Sequence, residues 1–195
     1  MTTAKEPTAA PTQPAESDQP GRRGFYYDQT RCIACRTCEL ACKTTNTVER
    51  GVSWRRITEE WTGAYPNTTR TFFSLACMHC AQPACVAACP TGAIEKRPGD
   101  GIVLVNRDLC TGADGCRACV AACPYGVPQF GADGLMQKCD YCTALGREPA
   151  CTQACPVNAL RAGTMADLCV AAEGKATAAP GGGTGGPAVV MVVGQ

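Results

Sequence analysis

The chain has 195 residues, enough for one or two small domains, and 17 of them are cysteine, far above ordinary usage. A formal net charge of +1, with no basic run or stripe, excludes a nucleic-acid footprint. Such a cysteine density leaves a disulfide scaffold or metal ligation, and the spacing has to decide between them.

Residues 1–23 are rich in Pro, Thr, Ala and Gln and lack an apolar core, so they read as a disordered leader and not as a signal peptide. Arg22 and Arg23 are followed by a short, soon polar run, whereas a twin-arginine export signal needs an apolar stretch there. Residues 24–168 form a cysteine-bearing core. Its strand-like runs are Gly24–Asp28, Val52–Ile57, Thr71–Leu75 and Gly101–Asn106, rich in β-branched and aromatic residues and bounded by turn formers. Residues 169–195 form a tail with a Gly-rich stretch between Pro180 and Pro187. Its last apolar run, Ala188 to Val193, is far short of a bilayer span, and the tail is expected to be flexible.

The core holds an internal repeat. Ala84-Cys85-Val-Ala-Ala88-Cys89-Pro90 matches Ala118-Cys119-Val-Ala-Ala122-Cys123-Pro124 and Ala150-Cys151-Thr-Gln-Ala154-Cys155-Pro156. A looser copy is Thr37-Cys38-Glu-Leu-Ala41-Cys42, followed by Lys43. Cysteines four apart share one face of a helix. Alanine favours the helix and leaves room beside it, and proline after the last cysteine stops it. Strands, cysteine loops and short helices therefore alternate, an α+β pattern.

Sixteen cysteines fall into four groups: Cys32, Cys35, Cys38, Cys42; Cys77, Cys80, Cys85, Cys89; Cys110, Cys116, Cys119, Cys123; and Cys139, Cys142, Cys151, Cys155. Group one has the C-x₂-C-x₂-C-x₃-C run of bacterial ferredoxins. Three closely spaced thiolates wrap one cubane, while the fourth leaves on the helix and ligates a second cluster. Groups therefore work in pairs, and four groups imply four [4Fe–4S] clusters in two tandem ferredoxin-like modules. Each cluster with a 2+ core and four thiolates carries about −2, so the loaded protein would stand near −7. Zinc suits isolated C-x₂-C pairs but not the repeated C-x₃-C-P endings. Disulfides suit neither C-x₂-C spacing nor a chain with no visible signal peptide.

Group three has five residues, Thr111 to Gly115, between its first two cysteines instead of two. Either the loop bulges, which two glycines make easy, and Cys110 ligates, or that site holds a [3Fe–4S] cluster. Cys169 stands outside the pattern and reads as a small buried apolar residue. His79, between cluster cysteines, is either structural or a hydrogen-bond donor to a cluster sulfur. Lys138 is either solvated or an offset to cluster charge. No nucleophile–base pair, phosphate loop or paired carboxylates appear, so catalytic residues are not expected. A core of this size is about 40 Å across, which keeps four clusters within tunnelling reach of one another.

The core resembles the iron–sulfur subunit of the dimethyl-sulfoxide reductase type, in the molybdopterin oxidoreductase superfamily. The residues that carry the likeness are Gly24-Phe-Tyr-Tyr-Asp28, Arg31-Cys-Ile-Ala-Cys-Arg-Thr-Cys-Glu-Leu-Ala-Cys-Lys43, Val52-Ser-Trp-Arg-Arg-Ile57, Cys77-Met-His-Cys80, Pro83-Ala-Cys85, Cys123-Pro-Tyr-Gly-Val-Pro-Gln129 and Lys138-Cys-Asp-Tyr-Cys142. The resemblance implies that Cys32, Cys35 and Cys38 share cluster 1 with Cys155, and that Cys139, Cys142 and Cys151 share cluster 2 with Cys42. It implies Cys77, Cys80, Cys85 and Cys123 for cluster 3, and Cys110, Cys116, Cys119 and Cys89 for cluster 4. It places cluster 1 toward a molybdopterin catalytic subunit and cluster 4 toward a quinone-reactive membrane anchor. It implies a peripheral subunit of a membrane-associated complex, extracytoplasmic by co-export with a signal-bearing partner or else cytoplasmic. A free-standing polyferredoxin is the competing expectation.

Overall fold

The computed structural model describes residues 21–178 and 185–194. The expected leader lies outside the described residues except for its last three, and so does 179–184. In chain order the elements are β1 (Arg23–Asp28), α1 (Thr37–Thr45), β2 (Arg56–Ala64), β3 (Asn67–Leu75), α2 (Ala84–Ala87), β4 (Ile94–Lys96), β5 (Val103–Val105), α3 (Gly112–Gly115), α4 (Ala118–Ala122), β6 (Gln129–Phe130), β7 (Met136–Gln137), α5 (Ala150–Gln153), β8 (Leu160–Thr164), α6 (Met165–Val170), β9 (Thr177–Ala178) and β10 (Val189–Val192).

The helices obey the proline rule read from the repeat. α2, α4 and α5 end before their Cys-Pro pairs, whereas α1, whose Cys42 is followed by Lys43, runs on to Thr45. Lys43 in that last turn donates to Glu49 O at 2.9 Å and Val52 O at 2.7 Å, which ties the following loop to the helix end. α1 packs against α5, and α2 packs against α4.

β1 is the hub. Its Phe25, Tyr26 and Tyr27 are almost wholly buried. The sheet order is β8-β1-β10-β9, with β1 antiparallel to β8 and parallel to β10. The tail therefore differs from its expectation. Val189 to Val192 lies beside Phe25 to Asp28 in register, because a β-branched run finds an unpaired edge of β1 to dock on. Gly24 permits this close approach: a Cβ there would collide with the Ala188 carbonyl and the Met165 sulfur.

β2 and β3 form a long, largely exposed hairpin; β4–β5 and β6–β7 form short ones. Of the strand expected over Val52–Ile57, only Arg56 and Ile57 join a ladder. Ser53 N instead donates to Gln129 Oε1 at 2.9 Å, and Gln129 Nε2 donates back to Ser53 O, so a side-chain amide takes the place of a strand partner. One apolar cluster joins Phe25, Tyr27, Ile57 and Ile102 with Cys38, Cys42, Cys77, Cys139 and Cys151. A second joins Ile94, Val103 and Met136 with Cys85, Cys89, Cys110 and Cys119. The cysteines are thus part of the cores themselves.

Candidate metal centres

The loop before α1 brings Cys32 and Cys35 round to Cys38 on the helix. Ala34 and Arg36 take left-handed backbone, φ 53° and 59°, to make the wrap. His79 (φ 40°) does the same between Cys77 and Cys80, and Tyr141 and Cys142 (64° and 58°) after Cys139. Left-handed non-glycine residues at the equivalent place in three cysteine loops mark a backbone bent around something.

Cys32, Cys35, Cys38 and Cys155 line one small pocket, walled by Tyr27, Ile57 and Leu160. Cys89, Cys110, Cys116 and Cys119 line another, walled by Ile94 and Met136. Cys110 reaches its pocket despite the longer gap. The extra residues wind into α3, where Gly112 takes φ 79° and Ala113 N is held by Gly134 O at 2.8 Å. A third set sits close enough to share its charges. Burial, then the charges of Cys77 and Cys123, pushes the Cys80 thiol up to about 11. Burial and Cys77 push Cys85 up to about 12. The remaining group, Cys42, Cys139, Cys142 and Cys151, is the most buried. Burial pushes Cys42 up to about 12 against the pull of Arg55, with Cys151 and Cys142 adding to it, and burial also raises Cys139 well above the ordinary thiol value. Asn46 Nδ2 lies 3.6 Å from Cys142 Sγ and 3.9 Å from Cys42 Sγ.

The donor sets suit a polynuclear cluster. They are all thiol, the surroundings are apolar, and in two sets the four thiols line a common pocket. Among the described residues no three His, Cys, Asp or Glu converge closely enough to hold one metal ion. Single tetrahedral zinc needs all four sulfurs within about 2.3 Å of one point. A cubane puts each thiolate on a different iron and needs a wider cage. Iron would deprotonate these raised thiols outright, so loading expels protons.

The remaining candidates resolve differently. Lys138 is buried, not solvated: its Nζ donates to Val103 O and to Cys139 O at 3.2 Å. His79 is wholly buried, with Nδ1 accepting from Val103 N at 3.1 Å, so the neutral ring carries its proton on Nε2. Burial, then the charge of Lys138, holds its pKa well below 6.5. Cys169 is exposed, contrary to expectation. α6 turns Leu168 onto the sheet, so the next residue is carried about 100° round to solvent. Reasoning from sequence missed Arg55, which is 2% exposed. Burial opposes its charge, but Cys151, Cys139, Cys38 and Cys42 outweigh that and hold it above the ordinary arginine value. The available signal was two arginines in a run that otherwise patterned as a strand.

Family comparisons agree with this chemistry. A 4Fe-4S dicluster domain matches residues 68–165, and a 4Fe-4S binding domain matches 29–45. The chain is thus an iron–sulfur protein built of ferredoxin-like 4Fe-4S domains. It is 42% identical over 157 residues to the probable anaerobic dimethyl sulfoxide reductase protein YnfG of Escherichia coli K12, covering 74% of this chain and 75% of that one. It is 42% identical over 151 residues to the B subunit of the anaerobic dimethyl sulfoxide reductase of Haemophilus influenzae, covering 70% and 71%. It is 33% identical over 192 residues to the hydrogenase-2 operon protein HybA of Escherichia coli O157:H7, covering 83% and 58%. The chain belongs to the family of iron–sulfur subunits of the dimethyl-sulfoxide reductase type. As such it is an electron-transfer subunit of an oxidoreductase complex and not the catalytic one.

Proposed function

We propose that the chain relays electrons through four [4Fe–4S] clusters between a quinone-reactive membrane subunit and a molybdopterin catalytic subunit. The proposed ligands are Cys32, Cys35, Cys38 and Cys155 for cluster 1; Cys42, Cys139, Cys142 and Cys151 for cluster 2; Cys77, Cys80, Cys85 and Cys123 for cluster 3; and Cys89, Cys110, Cys116 and Cys119 for cluster 4. The packing of α1 on α5 and of α2 on α4 favours two modules that each exchange their last cysteine, related by a pseudo-twofold.

What supports this reading is that cysteines of each proposed set neighbour cysteines of the next. Cys38 of the first feels the charge of Cys151 of the second. Cys139 of the second feels Cys77 of the third. Cys85 of the third packs in one apolar cluster with Cys89, Cys110 and Cys119 of the fourth. The second set is buried throughout, while the other three have partly exposed members, and Cys35 of the first is exposed. Exposed apolar residues suited to docking stand beside two of them: Ile33 and Leu40 beside the first, Leu109 beside the fourth. No helix among the described residues is long and apolar enough to cross a membrane. In the proposed complex the chain is attached peripherally to an anchor subunit on the extracytoplasmic face.

When bound, the clusters supply reversible one-electron reduction. The chain's own residues hold the thiolates, exclude water from the second set, offset charge through Arg55 and Lys138, and donate toward the Cys142 sulfur from Asn46. The test is anaerobic purification from the native host's membranes. The expected result is a complex that contains molybdenum and whose clusters are reduced by added quinol. A partner-free soluble chain whose clusters ignore quinol would overturn the reading in favour of a polyferredoxin.

A further inference from the structure

Arg55 lies in the interior between the first and second thiol sets, and its environment is unusual for a buried guanidinium. Its plane rests over the Phe25 ring, 4.5 Å from the centroid. Nη1 donates to Ser74 Oγ at 2.9 Å and to Ser74 O at 3.3 Å. Ser74 Oγ in turn sits 3.9 Å from Cys38 Sγ. Nε and Nη2 are buried and make no hydrogen bond among the described residues. No carboxylate pairs with this cation among the described residues, although burying an unpaired charge is strongly unfavourable. The groups whose charges act on it are the thiols of Cys151, Cys139, Cys38 and Cys42. Ser74 extends its reach to Cys38.

We propose that Arg55 is a shared counter-ion for clusters 1 and 2, a positioning residue that stabilises the reduced form of both. This rests on the four-cluster reading above. Each oxidised cluster carries about −2 and each reduced one about −3, since the step adds one electron to the core with no bond made or broken. A fixed cation in a low-dielectric interior favours the more negative state of whichever cluster holds the electron. One charge placed between two clusters therefore raises both couples together. Lys138, which donates to the Cys139 carbonyl and whose charge acts on Cys85, stands between clusters 2 and 3, and the cysteines of cluster 4 have apolar walls.

The test is a redox titration of the full chain in its native complex, followed by electron paramagnetic resonance, with iron and acid-labile sulfide measured on the same samples. Arg55→Gln keeps much of the volume and the donors but removes the charge; Arg55→Lys keeps the charge. The expected result for Arg55→Gln is unchanged iron and sulfide, with two of the four couples lowered by at least tenfold in the reduction equilibrium, about 59 mV for a one-electron couple. Arg55→Lys should recover at least half of that shift. Four unmoved couples, four that move together, or an Arg55→Lys shift equal to that of Arg55→Gln would overturn the proposal. If Arg55→Gln fails to hold its clusters, Arg55→Lys decides: retained clusters with couples moved less than threefold support a charge role, and cluster loss in both variants leaves Arg55 a purely structural part and overturns it. Wild-type iron and sulfide far from four clusters would instead sink the underlying reading, whatever the variants do.

Discussion

Replacing Tyr141 by Phe keeps the ring and removes one oxygen from the seam between β1 and β8. That hydroxyl donates to Gly24 O at 2.9 Å and accepts from Gly163 N at 3.0 Å, and Gly24 and Gly163 are register partners. A side chain from the cysteine loop thus bridges the two strands where the ladder would otherwise bond directly. The ring itself stays supported by Phe25, 4.9 Å away between centroids, and by Arg23 above it. Burial raises the phenol pKa, so the donor is intact at neutral pH. Leaving a buried group unpaired costs about 1–3 kcal/mol. Gly24 is buried and Gly163 half-buried, so the pair should cost about 2–4 kcal/mol together. The assay is the first-order thermal bleaching of the cluster absorbance, because iron–sulfur proteins unfold irreversibly and are read as rates. A loss of about 2 kcal/mol expressed in the unfolding rate is roughly 30-fold. Bleaching within twofold of wild type would refute the claim that this hydroxyl stitches the sheet.

Three further outcomes follow from the same structure. Cys169→Ala should leave iron and sulfide content unchanged, since that thiol points to solvent, whereas Cys151→Ala should lose iron. Gly24→Ala should release the C-terminal strand, because its methyl meets the Ala188 carbonyl; limited proteolysis should then cut near 189–192 well before the core. Asp28 has a carboxyl that burial would raise, but hydrogen bonds from Thr30 and Tyr26 and the charge of Lys175 hold it below 3.8. Its stabilisation is therefore complete above the unfolded value and is lost as pH falls through the folded one. Asp28→Asn should lower the unfolding temperature near neutrality, by a margin that shrinks as pH drops below about 3.8. A margin that widens on acidification would contradict the sign.

The sequence was most legible where covalent spacing alone determines geometry. Cysteines four apart must share a helix face, and a following proline must end the helix, so α2, α4 and α5 could be read directly. The bulge after Cys110 was legible for the same reason, since Gly112 supplies the left-handed backbone it needs. What escaped was long-range. Val189 to Val192 pairs with residues some 164 positions earlier, and no local pattern names that partner. The Val52–Ile57 run patterned as a strand, but its first half answers to Gln129 and to the thiols around Arg55, which only the assembled fold brings near. Cys169 was misjudged from residue type, when the face of α6 decides its exposure.

The central claim is the number and kind of clusters, and the most direct test is iron, acid-labile sulfide and zinc per chain in protein purified anaerobically from its native host. The account predicts about sixteen irons and sixteen sulfides; about fifteen irons would mark a three-iron site at the cavity that holds Cys110. Zinc without sulfide would contradict the electron-transfer account altogether.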